Sequence, residues 1–183
     1  MGTIATINGI AEDNIATHNG GTAALYANKN GDTWVHFVGM VGTGGSIATD
    51  GDYKVHTFNS DATFEVTTLG HGEVEYLVIG GGGGSVGDLG GGAGAGAYRT
   101  ATGFSVSETS YSITVGGGGA AGALDGNAGV ASVFSSITSA GGGKGGEGGV
   151  VGGNSAGSGG GGGDSYAGGT GGAYGNNGGN SVG

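Results

Sequence analysis

Residues 142–150 are Gly-Gly-Lys-Gly-Gly-Glu-Gly-Gly-Val, three consecutive Gly-Gly-X triplets, and residues 168–173 repeat the pattern as Gly-Gly-Thr-Gly-Gly-Ala. A polyproline-II-like helix has three residues per turn and no internal hydrogen bonds, so this spacing puts every X side chain on one edge and leaves two edges bare. Bare edges allow neighbouring chains to approach closely enough to join N–H and C=O groups laterally. The triplets therefore predict ordered, polyglycine-II-like helices that pack side by side.

Glycine dominates everything that follows residue 79. Twelve of the 54 glycines precede Gly80, which leaves 42 in the last 104 residues, too many for a conventional side-chain core. Ordering a backbone costs about 1–2 kcal/mol per residue, whereas a hydrogen bond returns only about 0.5–1.5 kcal/mol. Lateral packing must therefore satisfy nearly every backbone group. The alternative interpretation is a flexible, low-complexity tail.

The residues before the glycine region favour short β-strands, with a small irregular anchor as the alternative for the first segment. Ile4–Gly9 and Ile15–Gly20 are similar segments that each end in Asn-Gly, a strong turn signal that Asn30-Gly31 repeats. From Thr33 onward the hydrophobic period becomes two, with turn-rich residues between the strands, which predicts an antiparallel meander. Its predicted strands cover residues 34–38, 53–58, 63–67 and 74–79. Because residues 77–79 are all apolar, we expect the last strand to be buried on both faces.

Two further β-like islands interrupt the glycine region, one at residues 104–106 with 111–115 and one at residues 131–137, and no segment has a helical apolar stripe. The predicted fold is mainly β plus non-regular structure, with almost no α-helix. Short antiparallel strands form the N-terminal part, and polyglycine-II-like helices alternate with strands in the C-terminal part. The predicted organisation is a repeat or anchor segment at 1–32, a small β meander at 33–79 and a glycine-rich domain at 80–183.

Composition excludes several classes of partner. The net charge of −10, with only four Lys and Arg residues, leaves no basic stripe for nucleic acid and no cationic patch for anionic lipid. The N-terminus has neither a positively charged nor an apolar leader region, and no apolar stretch approaches membrane-spanning length, so we expect neither export by a signal peptide nor membrane insertion. The absence of cysteine excludes disulfides and Cys-based metal sites.

No catalytic constellation stands out. Residues 77–80 place glycine directly after a strand, but the dinucleotide fingerprint needs a helix there, and more glycine follows. Residues 159–166 fit a single copy of a calcium-binding nonapeptide, whose sites require tandem copies. The four histidines lack metal-ligand spacing, and Asp50, Asp52 and Asp61 are typical turn residues. We therefore predict no catalytic residues, no cofactor and no metal.

The best candidates for a binding role are aromatic and amide side chains set in a backbone too sparse to hide them. Such side chains combine flat apolar area with hydrogen bonds at a small entropic cost, which suits recognition of a saccharide or an outer-membrane protein. A second interpretation is that the tyrosines cap the ends of the glycine helices. The candidates are Tyr98, Tyr166, Tyr174, Asn176 and Asn177.

The order of strands and glycine runs resembles a known domain. Residues 75–84 (EYLVIGGGGG), 90–99 (GGGAGAGAYR), 111–119 (YSITVGGGG) and 135–143 (SSITSAGGG) are similar to the glycine-rich domain of many bacteriophage fibre and virion proteins, over about residues 73–163. More distantly, the chain resembles the tail-fibre-tip adhesins of T-even-type phages, whose distal domain is a sandwich of polyglycine-II helices with host-recognition loops.

The resemblance implies a non-enzymatic virion or tail-fibre structural protein, assembled in the host cytoplasm, that forms a fibre and contacts the host surface. Its expected partners are copies of itself, as a homotrimer or helical polymer, and other virion or fibre proteins. The alternative is a self-assembling extracellular filament or matrix protein of a cellular organism. Whether the glycine-rich domain serves assembly or recognition is open at this point.

Overall fold

The computed structural model describes residues 39–183, apart from residues 71, 88, 124–125, 150–151, 154 and 183, together with the backbone of four short strands before residue 39. The chain divides into two compact units, residues 1–39 and 40–183. In the first unit, β1 (Thr6–Ile7) pairs with β2 (Ile10–Ala11), and β3 (Asn28–Lys29) pairs with β4 (Asp32–Thr33).

In each pair the two strands flank a predicted Asn-Gly turn. The short strands expected around residues 8–9 and 30–31 are therefore confirmed. Two other predicted features, the turn at residues 19–20 and the strand at residues 34–38, lie outside the described residues.

The second unit is built from antiparallel strands, and its described residues contain no helix. These strands are β5 (Val41–Thr43), β6 (Ser46–Asp50), β7 (Tyr53–Thr57), β8 (Ala62–Thr68), β9 (Glu73–Ile79), β10 (Tyr98–Ser105), β11 (Ser110–Thr114), β12 (Ser132–Phe134) and β13 (Ile137–Ser139). Five of them form one sheet in the order β13-β12-β11-β8-β5, and β6–β7 and β9–β10 form two separate ribbons. The mainly β fold predicted from the sequence is confirmed.

The strand order differs from the predicted meander. In a meander β8 would pair with its sequence neighbours, whereas here it pairs with β5 and β11. The cause lies directly after β5, where Gly44 and Gly45 have φ angles of 101° and 65°, a left-handed conformation that turns the chain out of the sheet. The five-stranded sheet thus joins strands from both sides of residue 80.

The hydrophobic core lies between this sheet and the β9–β10 ribbon. Phe134 is buried near its centre, and four aromatic rings surround it with centroids 5.4–6.4 Å away. Those rings belong to Phe64, Tyr76, Phe104 and Tyr111. Strand β9 contacts β12 and β13, and its Val78 is buried on that side.

The prediction that the end of β9 is buried on both faces is wrong. Val78 is buried, but Leu77 and Ile79 are 55% and 51% exposed. The β9–β10 ribbon has only two strands, and nothing in the described part of the chain covers its outer face. Successive side chains of a strand alternate between faces, so these two side chains point away from the core.

The glycine runs are held by lateral backbone hydrogen bonds that recur every third residue. Gly80 and Gly83 donate to the carbonyl oxygens of Ala97 and Gly94, at N···O distances of 3.0 and 2.9 Å. Gly81 and Gly84 donate to a different run, through Val130 and Asn127 at 2.9 and 2.7 Å. The carbonyl oxygens of Gly82 and Ser85 accept from Gly119 and Gly122 at 2.8 and 3.2 Å. Three successive residues therefore bond to three different neighbouring runs.

Close backbone contact explains why these positions are glycine. A Cβ atom placed on Gly80 or Gly83 would lie 2.0 or 2.1 Å from the carbonyl oxygen of Ala140 or Gly143, and one on Gly81 or Gly84 would lie 2.1 Å from the oxygen of Gly117 or Ala120. Real Cβ atoms do not approach so closely. Each run is therefore packed backbone to backbone, while the polyglycine-II-like geometry of the runs stays a prediction.

Candidate recognition surface

Two of the candidate residues, Tyr98 and Tyr174, lie at strand β10. Tyr98, the first residue of β10, is 56% exposed and lies opposite Ile79 on β9. The next residue, Arg99, points to the other face of β10. There its guanidinium lies over the ring of Tyr174, 4.7 Å from the centroid, and also donates to the carbonyl oxygen of Thr138 at 3.0 Å. Tyr98 and Tyr174 therefore lie on opposite sides of β10.

Tyr98 belongs to an exposed apolar patch that the sequence did not predict. Leu77 and Ile79 share the outer face of β9, and their cross-strand partners Thr100 and Tyr98 share it on β10. The hydroxyl of Thr100 donates to the carbonyl oxygen of Tyr76 at 2.8 Å. Leu77, Ile79 and Tyr98, each more than half exposed, therefore lie together on the outer face of the ribbon.

The candidate Asn177 and the nearby Asn180 bind the backbone of a neighbouring run with their side chains. The side-chain oxygen of Asn177 accepts a hydrogen bond from the N–H of Gly171 at 2.9 Å, and that of Asn180, three residues later, accepts from Gly168 at the same distance. These amides extend the three-residue pattern with side chains in place of backbone carbonyls. Asn180 was missed in the sequence because only the tertiary register reveals its partner.

Asn176 and Tyr166 contribute exposed side chains at the surface of the same region. Asn176 is held through its backbone, which donates to the Ser158 hydroxyl at 3.2 Å and accepts from Gly159 at 2.8 Å. Tyr166 is 43% exposed, and its carbonyl oxygen accepts from Ser181 at 2.9 Å. The structure thus brings Tyr174, Asn176 and Asn177 together at residues 174–177 and leaves Tyr98 on a separate face.

Tyr174→Leu tests whether the contact with Arg99 stabilises this surface. An exposed cation–π contact contributes about 0.5–1 kcal/mol, so we expect the free energy of unfolding to fall by about that amount. Urea denaturation of the variant measures the change. Tyr166→Leu is the matched control, because no guanidinium lies over that ring among the described residues, and equal losses for the two variants would contradict the prediction.

Next to these residues lies an open, shallow groove of about 450 Å³, lined by residues 91–93, 159, 161–162 and 178–181. Its rims include Gly92 and Gly179, where an added Cβ would meet no atom within 4 Å. At these two positions, unlike at Gly91 and Gly178 in the same groove, no contact within the chain requires glycine.

A family model described as a glycine-rich domain matches residues 57–183. The chain belongs to this glycine-rich domain family. The matched part of the chain begins at the end of β7. It contains the sheet strands β8 and β11–β13, the β9–β10 ribbon and all the glycine runs. No curated protein and no solved structure shows significant similarity to the chain.

The described residues contain no group of three or more His, Asp or Glu side chains able to hold a metal ion. His56, predicted within a strand, lies in β7, where its ring packs edge-on against Phe64 at 5.1 Å and its Nδ1 is 2.8 Å from the carbonyl oxygen of Gly44. No helix in the described part is long and apolar enough to cross a membrane.

Proposed function

We propose that the protein is a non-enzymatic structural component of a bacteriophage virion or tail fibre, and that it assembles with copies of itself through its glycine-rich domain. The observation that carries this proposal is a set of glycines that face open space in a domain where most of the described glycines are packed against backbone. Gly92, Gly117 and Gly179 have no atom within 4 Å of an added Cβ.

Glycine lowers the stability of the folded protein at such positions when nothing packs there. Replacing it with alanine at a compatible backbone conformation stabilises a protein by about 0.4–1 kcal/mol, because the unfolded chain loses freedom. A second copy whose backbone approaches these glycines supplies the contact that the single chain lacks, and it satisfies further N–H and C=O groups at the surface.

The three-residue repeat of the lateral hydrogen bonds supports polyglycine-II-like helices in the runs. Such a helix turns once every three residues, so each third N–H points toward the same neighbour. The donors at residues 80 and 83, 81 and 84, and 94 and 97 follow this spacing. Rods of this kind pack in several directions at once, which suits assembly into a homotrimer or a helical fibre with other virion proteins.

Host contact is the second part of the proposal. The exposed rings of Tyr98, Tyr166 and Tyr174, with the amides of Asn176 and Asn177, offer flat apolar area and hydrogen-bonding groups to a saccharide or an outer-membrane protein of the host. Asn177 already has a backbone partner, so the tyrosines and Asn176 are the stronger candidates. The proposed location is the virion, after assembly in the host cytoplasm.

Negative-stain electron microscopy of the purified protein tests the assembly. Long filaments support a self-assembling subunit, short trimeric rods support a fibre tip, and monomeric particles at all concentrations contradict the proposal. The double variant Gly92→Val and Gly179→Val places side chains in the groove, so we expect it to shorten or abolish the assemblies while leaving the urea midpoint of the monomer nearly unchanged.

The matched control for this pair is Ser112→Val, which adds a similar side chain at an exposed position of β11 outside the glycine runs. We expect it to assemble like the parent protein. If the double variant also assembles normally, the groove is not a contact between copies.

A further inference from the structure

The β6–β7 ribbon, residues 46–57, is the most exposed regular structure in the second unit. Five residue pairs hold it together, from Ser46 opposite Thr57 to Asp50 opposite Tyr53, around a two-residue turn at residues 51–52. Every residue of β6 and β7 is exposed except His56, which is half-buried. An isolated two-stranded hairpin is only marginally stable in water unless another element covers it.

The ribbon is anchored at its base and free along its length. It leaves the sheet between β5 and β8, which pair with each other past it, and the contacts of His56 with Phe64 and with Gly44 fix its lower end. Neither edge pairs with another strand in the described part of the chain. Large apolar side chains nevertheless lie along it, with Ile47 53%, Tyr53 62% and Val55 43% exposed.

The register identifies the backbone groups that point outward from β6. In a hairpin with a two-residue turn, the pair beside the turn exchanges both hydrogen bonds, and such pairs then alternate with pairs that exchange none. Asp50, Ala48 and Ser46 are therefore bonded within the ribbon. The N–H and C=O groups of Ile47 and Thr49 point away from it, as an open template for another strand.

We propose that β6 pairs antiparallel with β6 of a second copy, centred on Ala48, so that two ribbons form one four-stranded sheet. This inference rests on the self-assembly proposed above and names a segment that carries it. Centring on Ala48 puts Ile47 opposite Thr49 of the second copy, and these are the residues whose backbone groups point outward. The same register aligns Val55, Ala48 and their two counterparts in one apolar row across the new sheet.

Charge favours a second copy on the β6 edge over the β7 edge. The protein carries a net charge of −10, so copies repel one another unless they meet where charge is absent. Residues 46–49 carry no charge and no proline, the two devices that commonly protect an edge strand. The charged Asp50 at the end of β6 lies opposite the uncharged Ser46 of the second copy in this register. The same arrangement through β7, centred on Val55, would place Lys54 opposite His56 of the second copy.

Single cysteines test the register, because the chain has no cysteine of its own. In the proposed sheet the two Ala48 residues form a pair without hydrogen bonds, whose Cα atoms lie about 4.5 Å apart, within the range of a disulfide. The two Val55 residues are three strand spacings apart, about 14 Å, which is too far. Val55→Cys is therefore a matched control on the same face of the same ribbon.

With oxidised glutathione at equal protein concentration, we expect Ala48→Cys to shift from the monomer band to a dimer band on a non-reducing gel and Val55→Cys to remain monomeric. Adding Thr49→Pro to Ala48→Cys should remove the dimer band, because proline deletes an N–H that only the second copy would use. The urea midpoint of that double variant reports whether the fold is kept. If the double variant does not keep the fold, the comparison of Ala48→Cys with Val55→Cys alone tests the register.

Equal crosslinking of the two single-cysteine variants overturns the inference. Filaments or rods from Ala48→Cys without a dimer band overturn it while leaving the proposed self-assembly intact. A dimer band without filaments or rods supports the paired ribbons and contradicts assembly into a fibre.

Discussion

Gly141→Ala is expected to lower the free energy of unfolding by about 3 kcal/mol or more, because it combines overpacking with the loss of backbone hydrogen bonds. Gly141 is buried, and an added Cβ would lie 1.9 Å from the carbonyl oxygen of Gly129 and 2.2 Å from its carbon. Backbone cannot move aside as the end of a flexible side chain can. The two runs must separate, which also strains the hydrogen bond from Gly129 to Gly142.

The measurement is urea denaturation followed by tyrosine fluorescence, at a concentration where the protein is monomeric. Gly117→Ala is the control, because it makes the same chemical change in another glycine run where no atom lies within 4 Å. We expect that variant to keep or slightly raise the stability of the monomer. Similar midpoints for both variants would mean that the runs are not packed backbone to backbone.

Phe134→Ala is expected to lower the free energy of unfolding by about 3–5 kcal/mol, the usual loss when a buried aromatic side chain is truncated. Phe134 is 8% exposed and contacts four other rings, which come from β8, β9, β10 and β11. Its removal therefore weakens the contact between the five-stranded sheet and the β9–β10 ribbon. At about 2–4 °C per kcal/mol for a chain of this size, Tm should fall by roughly 10 °C.

Thermal denaturation measures this change, with Ile79→Ala as the control. Ile79 is also a large apolar residue, but it is 51% exposed on the outer face of β9, so its truncation should cost less than about 1 kcal/mol. If the two variants lost the same amount of Tm, the core would not be centred on Phe134.

Local patterns predicted most strands but not their partners. The alternation at residues 53–58, 63–67 and 74–79 gave β7, β8 and β9 nearly as observed. Strand β6 was missed because Ser46–Asp50 contains one large apolar residue and adjoins turn residues. Only residues 104–106 were predicted as strand for β10, which spans Tyr98–Ser105, because pairing with β9 rather than local preference extends it.

For the candidate surface too, local properties were predictable from the sequence and contact partners were not. Exposure of the three tyrosines followed from the sparse side chains around them, and the structure agrees with it. The contact between Arg99 and Tyr174 and the bond from Gly171 to Asn177 depend on which runs are neighbours. That information is absent from any single segment. The Gly-Gly-X spacing did predict lateral bonding, because a period of three is a property of one run.

The three-residue spacing of the lateral bonds also limits how such a chain can change in length. Residues 80, 81 and 82 each bond to a different neighbouring run, and the assignment repeats at residues 83, 84 and 85. Inserting one residue would present every later residue to the wrong neighbour, whereas inserting three would restore each partner. We therefore expect insertions and deletions of a whole triplet to preserve the lateral bonds of such glycine runs and those of one or two residues to break them.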